Sequence, residues 1–330
     1  MRDRFCKMSQ ISYILFMKTV QEIQENKTSF LGLTTLYPEE FDHILPVFSE
    51  LWYKFYAYFT LHGKRRKSKY WYAQKDTPTL PTTTDKLFFI LCYYKDHPLQ
   101  EYQAMCFEIS QTKVSQWVRI LTPILEETLD KLAVLPCRNG SILNRFLKDI
   151  PNSKTINIDV VEQSAPRPVS DDAQRAQYSG KAKDHTYKNK VDCTDNQYVT
   201  YLSPTFLGAV HDKKIADESF CIYPEGTRLR QDAGFQGYAP LDTWIEMPFK
   251  KPKNRELTKM QKWYNCYVGQ RRIVVEHAIR GIKRFRIIQH ACRLKGYWVR
   301  DQIMNICTAL HNFRVKSPLR SYQSEFKFKL

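Results

Sequence analysis

The sequence predicts an α+β multidomain protein, an all-α N-terminal region followed by an α/β domain with a mixed sheet. Three observations predict it. From Pro38 to Leu132 the apolar residues recur at helical spacing, and after a break at Pro136–Ser141 short β-rich runs alternate with helical ones. Apolar residues make up 43% of the 330 and aromatics 14%, enough to fill real cores. The net charge of +17 is uneven: residues 1–150 carry 20 Lys and Arg against 16 Asp and Glu, and the rest carry 31 against 18. The expected boundaries are a helical leader at 1–30, a helical region at 31–135, a linker at 136–150, the α/β domain at 151–316 and a tail at 317–330.

The elements follow in order. Arg2, Arg4 and Lys7 precede an apolar run, Ile11–Met17, that is too short and wrongly flanked for a signal peptide. Pro38 with Glu39 and Glu40 opens a helix to Leu61, because proline suits the first turn and acids suit the helix dipole. Gly63–Lys69 (GKRRKSK) breaks that helix and reads either as a solvated basic loop or as one that meets phosphates. Thr84 and Asp85 can cap a helix from Lys86 to Tyr94. Leu99–Phe107 is a short helix, Glu108–Ser110 a tight connection, and Gln111–Leu121 a second helix with Val114, Trp117, Val118 and Leu121 inward. Gln111, Thr112, Lys113, Gln116 and Arg119 then fall on its polar face, the layout of a helix-turn-helix whose second helix enters the major groove. Pro123 is expected to start a separate helix through Leu132.

Beyond the linker, Thr155–Val160 reads as a strand. Lys188–Cys193 and Tyr198–Leu202 read as a hairpin turning at residues 194–197, Lys213–Phe220 as a helix and Leu229–Asp232 as a strand. A long helix is expected from Thr258 to Ile288 and a last one from Trp298 to Phe313. This is the element order of an RNase H-like domain, an order other α/β domains share.

Composition narrows the partners. The basic excess points to a polyanion, and nucleic acid is the usual one. Nine cysteines, an odd number with no CxxC pair, argue against a zinc module and a secreted disulfide framework and fit a reducing compartment. No segment is long and apolar enough to span a bilayer, so no membrane partner is expected.

Three acids sit where rigid elements could bring them together. Asp159 closes the first strand of the second domain and Asp232 the fourth, and Glu276 lies in the long helix. Phosphodiester chemistry with two Mg²⁺ needs such hard oxygen ligands. Arg272, Glu276, Arg280 and Lys283 share one helix face, where the acid either makes surface ion pairs or holds a metal while its cationic neighbours meet phosphates. His211-Asp212 by itself also suggests a metal phosphohydrolase, but the further histidines such an enzyme needs are not arranged around it. Lys181 and Lys188 read as DNA-backbone contacts or as a solvated edge. Trp117, Trp244 and Trp263 are expected in the core.

Several segments carry a resemblance. These are Ile158-Asp159 with Glu162, Arg167 and Pro168; Tyr178–Lys181 with His185, Thr186 and Lys188; Gly208 with His211-Asp212; Asp232–Gly237; Val275–Ala278 through Lys283–Arg286; and Ala309–Phe313. In this order over roughly residues 155–315 they resemble the DDE-type transposases of bacterial insertion sequences and the related PIF/Harbinger-like group, with Phe235 where tyrosine is common. The resemblance implies that Asp159, Asp232 and Glu276 are the catalytic, metal-binding acids, with Mg²⁺ as cofactor and Mn²⁺ as substitute. It implies that Glu162, His211 and Asp212 support them from behind, and that residues 31–133 form the family's DNA-binding region. It further implies double-stranded DNA as partner, a homo-oligomer on paired element ends, and a place in the bacterial cytoplasm at the nucleoid, or in the nucleus of a eukaryotic host. The alternatives are an inactive or domesticated DNA-binding regulator and a nuclease without strand transfer.

Overall fold

The computed structural model describes residues 19–150, 153–294 and 296–320. The basic start of the leader, its Ile11–Met17 run and the tail from 321 onward lie outside the described residues. The chain forms two compact units, Met1–Val134 with Arg284–Ile287, and Leu135–Lys283 with Ile288–Leu330.

The first unit is helical: α1 (Val20–Glu25), α2 (Lys27–Thr34), α3 (Pro38–Tyr58), α4 (Thr83–Asp96), α5 (Gln100–Cys106) and α6 (Gln111–Lys131). Helix α4 starts one residue before the expected cap. Thr82 accepts from the Asp85 amide while the Asp85 carboxylate accepts from the Thr82 amide, a reciprocal capping box. Pro123 does not start a helix. It lies inside α6, where Ile120, Leu121, Ile124 and Leu125 are buried on both sides of it. Their burial offsets the hydrogen bond that proline cannot donate. The core contains a run of packed aromatic rings: Phe30 meets Phe41 edge-on and stacks on Phe88, and Trp52 packs against Trp117. Lys86 is 1% exposed among them. Its ammonium donates to the carbonyls of Leu80, Pro81 and Thr82 and lies 4.8 Å from the Trp52 ring centre. Those partners make the burial tolerable.

The second unit is built on a mixed sheet: β1 (Thr155–Ser164), β2 (Tyr178–Ser179), β3 (Asp184–Thr194), β4 (Val199–Leu202), β5 (Phe206–Leu207), β6 (Thr227–Arg230) and β7 (Thr243–Glu246). The order is β2-β3-β1-β6-β7, with β4 and β5 also pairing on β3. Strand β1 is antiparallel to β3 from Ile156 opposite Thr194 to Ser164 opposite Thr186, and parallel to β6. Strands β6 and β7 are parallel as well. The β3–β4 hairpin turns at 194–198, where Gln197 takes φ +68.

Helices α7 (Leu143–Lys148) and α9 (Asp212–Glu218) cover one face. Here Ile156, Ile158 and Leu229 of the sheet pack with Leu143, Leu147, Ala216 and Phe235. Residues 136–150 therefore do more than link. Cys137 exchanges backbone bonds with Thr200 and Leu202 of β4. Gly140 passes so near Ser219 that a Cβ would stand 2.1 Å from its carbonyl oxygen. In the same layer Lys190 and Asp192, adjacent on one face of β3 and both fully buried, pair at 2.6 Å. Tyr223 donates to Asp192 at 2.7 Å. Burial by itself would lower the Lys190 pKa, but the Asp192 carboxylate raises it above its ordinary value.

Helices α10 (Lys259–Ile282) and α12 (Tyr297–Lys316) are the other long elements of this unit. Helix α10 buries Val274, Val275, Ala278 and Ile282 and packs on β1 and β3. It ends at Ile282 rather than Ile288, and a separate short helix, α11 (Arg286–Gln289), follows. A Cβ on Gly281 would stand 2.3 Å from the His311 ring, so the glycine permits the close approach of α12. Asn312 then both donates to and accepts from the backbone of Val199, at 2.8 Å each way, which fixes α12 to β4. Helix α8 (Asp171–Gln177) and strand β7 had no separate signal in the sequence.

Candidate active site

The sheet order places β1 beside β6; Asp159, expected to close β1, lies midway along it, and Asp232 lies just past β6. Asp159 lies within β1 opposite Val191, its side chain 17% exposed. Asp232 follows β6 by two residues and caps a 3-10 turn, Ala233–Phe235, with Oδ1 accepting from the Ala233 amide at 2.6 Å. Phe235, fully buried, anchors that turn. Between the two carboxylates lies the guanidinium of Arg272 from α10, 3.6 Å from Asp159 and 3.7 Å from Asp232. The sequence suggested Arg272 as a phosphate contact; the structure places it as a bridge between two acids.

Burial pushes the Asp159 carboxyl above the usual aspartate range. The Val160 amide, Arg272 and Lys181 act against that shift, and Asp232 adds to it. Glu276 lies one turn beyond Arg272 and is exposed, its carboxylate 3.9 Å from Arg280. The two aspartates thus converge on one cation while the glutamate faces outward. Among the described residues no three His, Cys, Asp or Glu side chains group closely enough to hold a metal ion. The donors are all carboxylates, the hard oxygen set that suits Mg²⁺. Two of the three already stand within reach of a single positive group.

The supporting residues form a second cluster. Glu162 accepts from Ser179 at 3.1 Å and from Thr186 at 3.0 Å. Lys188 is 8% exposed, donates to Asp212 and to the Val210 carbonyl at 3.1 Å each, and stands 3.9 Å from Glu162. Its charge is taken up inside the fold, where it ties β3 to α9. Asp212 also lies 3.5 Å from where a Cβ on Gly234 would stand, so it backs the turn that carries Asp232. His211 is the exposed residue preceding α9 and makes no side-chain cap bond. Lys181 and Arg280 are exposed. Burial lowers the pKa of the half-buried Lys283, with Glu162 and Asp159 acting against the shift.

Trp244 and Trp263, expected in the core, are 72% and 62% exposed. Trp244 lies on the edge strand β7. Trp263 stacks on Tyr267 along the solvent side of α10, and Arg271 covers Tyr267 at 4.0 Å. A hollow of about 470 Å³, lined by residues including Ala233, Ile245, Phe249 and Tyr264, opens beside the Asp232 turn. Their type marked these tryptophans as core, and a single sequence held no signal to the contrary. Trp117 is 1% exposed, as expected.

In the first unit, Ser110 caps α6, and Gln111, Thr112 and Arg119 are exposed with Lys113 and Gln116 half-buried. They line a groove of about 640 Å³ together with Leu61, His62 and Gly63. Gln116 donates to the Leu61 carbonyl at 2.5 Å, and Lys113 to Gln116 at 3.1 Å.

One acid on β1, a second just past the neighbouring parallel strand β6 and a third on α10, which packs on β1, make up the site. Residues 158–312 match the family profile described as DDE superfamily endonuclease. The chain is 26% identical over 235 residues to a protein of Microchaete diplosiphon named "Probable transposase for insertion sequence element IS702", a match covering 70% of this chain and 80% of that relative. Residues 158–312 thus match a DDE superfamily endonuclease, and the chain is similar to an insertion-sequence transposase. No solved structure gives a significant match.

Proposed function

We propose that the protein is a DNA transposase that binds the terminal inverted repeats of a mobile element, cleaves at the element ends and joins the freed ends to target DNA. The observation that carries the reading is the meeting of Asp159 and Asp232, from adjacent strands of an RNase H-like sheet order, on a group one turn from Glu276.

Asp159, Asp232 and Glu276 would hold divalent cations, Mg²⁺ or Mn²⁺ in its place. Such cations lower the cost of charge on the attacking and leaving oxygens. The chain's own residues do the rest. Arg272 offsets the charge of the two aspartates and lies on the α10 face where Arg280 can meet a phosphate. Glu162, Lys188 and Asp212 fix β3, β1 and the Asp232 turn so that the carboxylates stay aligned. Water attacks the phosphodiester at the element end and releases a 3′-hydroxyl. That hydroxyl attacks a target phosphodiester in line and expels the target's 3′-oxygen.

In the first unit α5, the turn 107–110 and α6 form a helix-turn-helix. Gln111, Thr112, Lys113, Gln116 and Arg119 are its duplex-reading face, and a homo-oligomer holds paired ends. One observation favours a second reading, a DNA-binding regulator: the three acids do not group tightly enough to hold a metal among the described residues.

The test is cleavage and joining of end-containing duplex in Mg²⁺ or Mn²⁺ by the full chain. Joined strands that disappear in Asp232→Asn support the transposase. Specific binding without nicking in either metal would replace it with the regulator, and hydrolysis without joining with a plain nuclease.

A further inference from the structure

The loop that follows α3 is a shaped surface rather than slack chain. A helix leaves its last carbonyls without partners, and here the loop supplies them. Arg66 donates its backbone amide to the Tyr58 carbonyl at 2.7 Å and its Nε to the carbonyls of Tyr56 and Phe59 at 3.1 Å each. The Tyr70 amide donates to Ala57 at 2.8 Å. The Arg66 guanidinium packs against the rings of Tyr56 and Tyr70, 5.0 and 4.8 Å from their centres, and the two rings meet each other edge-on. A cation at a helix C-terminus also meets the negative end of its dipole.

That anchoring leaves the outer side of the loop uncommitted. Lys64, Arg65, Lys67, Lys69 and Lys75 are all exposed, and residues 60–75 contain no acid. None of the five makes a side-chain ion pair among the described residues. Between them Trp71 is 78% and Tyr72 59% exposed. The Lys69 ammonium lies 4.4 Å from the Trp71 ring centre, and Lys75 the same distance from Tyr72. A protein leaves two adjacent large rings in water at a cost, and here cations surround both. Cations spaced along a path with exposed aromatic faces among them are the arrangement that binds unpaired nucleic-acid strands, the cations taking phosphates and the rings taking bases. Double-helical DNA keeps its base faces stacked, so the rings would gain little from it.

We propose that residues 64–75 bind DNA with unpaired bases, Trp71 stacking on a base and Lys67 and Lys69 meeting the flanking phosphates. The proposal rests on the reading of the chain as a DNA-acting enzyme, but its site is separate from the polar face of α6.

The test is fluorescence anisotropy with the full chain on a labelled thymidine oligomer, a perfect duplex and the same duplex with a central unpaired bubble. Wild type should prefer the bubble to the perfect duplex and bind the oligomer. Trp71→Ala should weaken oligomer binding by about five- to a hundredfold and erase the bubble preference, with perfect-duplex affinity unchanged. Trp71→Phe should retain most of the binding, and unchanged circular dichroism in both variants shows that the fold holds. Lys67→Gln with Lys69→Gln should reduce the salt slope on the oligomer by roughly 1.4. Undiminished oligomer binding by Trp71→Ala, or an unchanged salt slope in the lysine pair, overturns the proposal. Lys113→Ala and Arg119→Ala on the perfect duplex form a separate arm: if they change nothing, the duplex-reading helix is wrongly assigned while the loop is judged by its own variants.

Discussion

Single side chains decide most where charge is buried. Lys190 and Asp192 are sealed together under the sheet, so neither can be removed alone without stranding the other. Lys190→Met should destabilise the protein by about 3–5 kcal/mol, whereas replacing both residues with apolar ones should cost far less. Urea melts of the single and double variants check this. Lys86 gives a pH signature of definite sign. Burial lowers its pKa from 10.5 to about 8. Between those values the unfolded chain binds more protons than the folded one, so the site's contribution to stability rises with pH across that window. The stability of wild type minus that of Lys86→Met should therefore increase from pH 8 to 10.5, and a flat difference would mean that the ammonium keeps its ordinary affinity for protons. Most of this was hidden in the sequence. Lys86, Lys188, Lys190 and Arg272 look like any other members of a strongly basic chain, and only their neighbours show that they are structural.

At the scale of elements, two short signals do more than their spacing suggests. The Ala309–Phe313 segment matched a family pattern, and the structure supplies a physical reason: Asn312 completes both backbone bonds of Val199 on β4. Asn312→Ala should cost about 1–3 kcal/mol, because it leaves a buried amide and carbonyl without partners. Gly281→Ala should be harmful too, since the His311 ring occupies the space. Thermal melts report both losses. Helix α6 carries a functional prediction. Lys113→Ala or Arg119→Ala should weaken binding to element-end duplex by roughly 1–3 kcal/mol if the residue reads a base edge. Anisotropy titrations that match wild type in both variants would move the reading face elsewhere. Helix existence was legible from apolar spacing in α3, α4, α6, α10 and α12. Ends and breaks were less so: Pro123 stays inside α6 because burial on both sides outweighs one lost hydrogen bond, and α10 stops at Ile282 although the apolar pattern continues to Ile288.

For the molecule as a whole, a charge of +17 implies that DNA binding is largely a matter of phosphates. Affinity for duplex should fall steeply as salt rises, with a log–log slope of about −0.9 for each phosphate contacted. A titration from low to physiological salt that leaves affinity unchanged would rule out this electrostatic footprint. The sequence by itself determined the class: the ordered set of short motifs and the acids Asp159, Asp232 and Glu276 pointed to a DDE-type endonuclease, which the family match bears out. Strands β1, β3, β4 and β6 and the β3–β4 hairpin were likewise readable, because alternation and turn residues are local; the short β2, β5 and β7 were not. Tertiary structure decided which charges face one another. It set Arg272 between two aspartates, turned Lys188 inward, left Trp244 and Trp263 in solvent and bound residues 136–150 to the sheet. Those outcomes depend on which distant segments pack together, and a one-dimensional pattern records the period of a chain but not its partners.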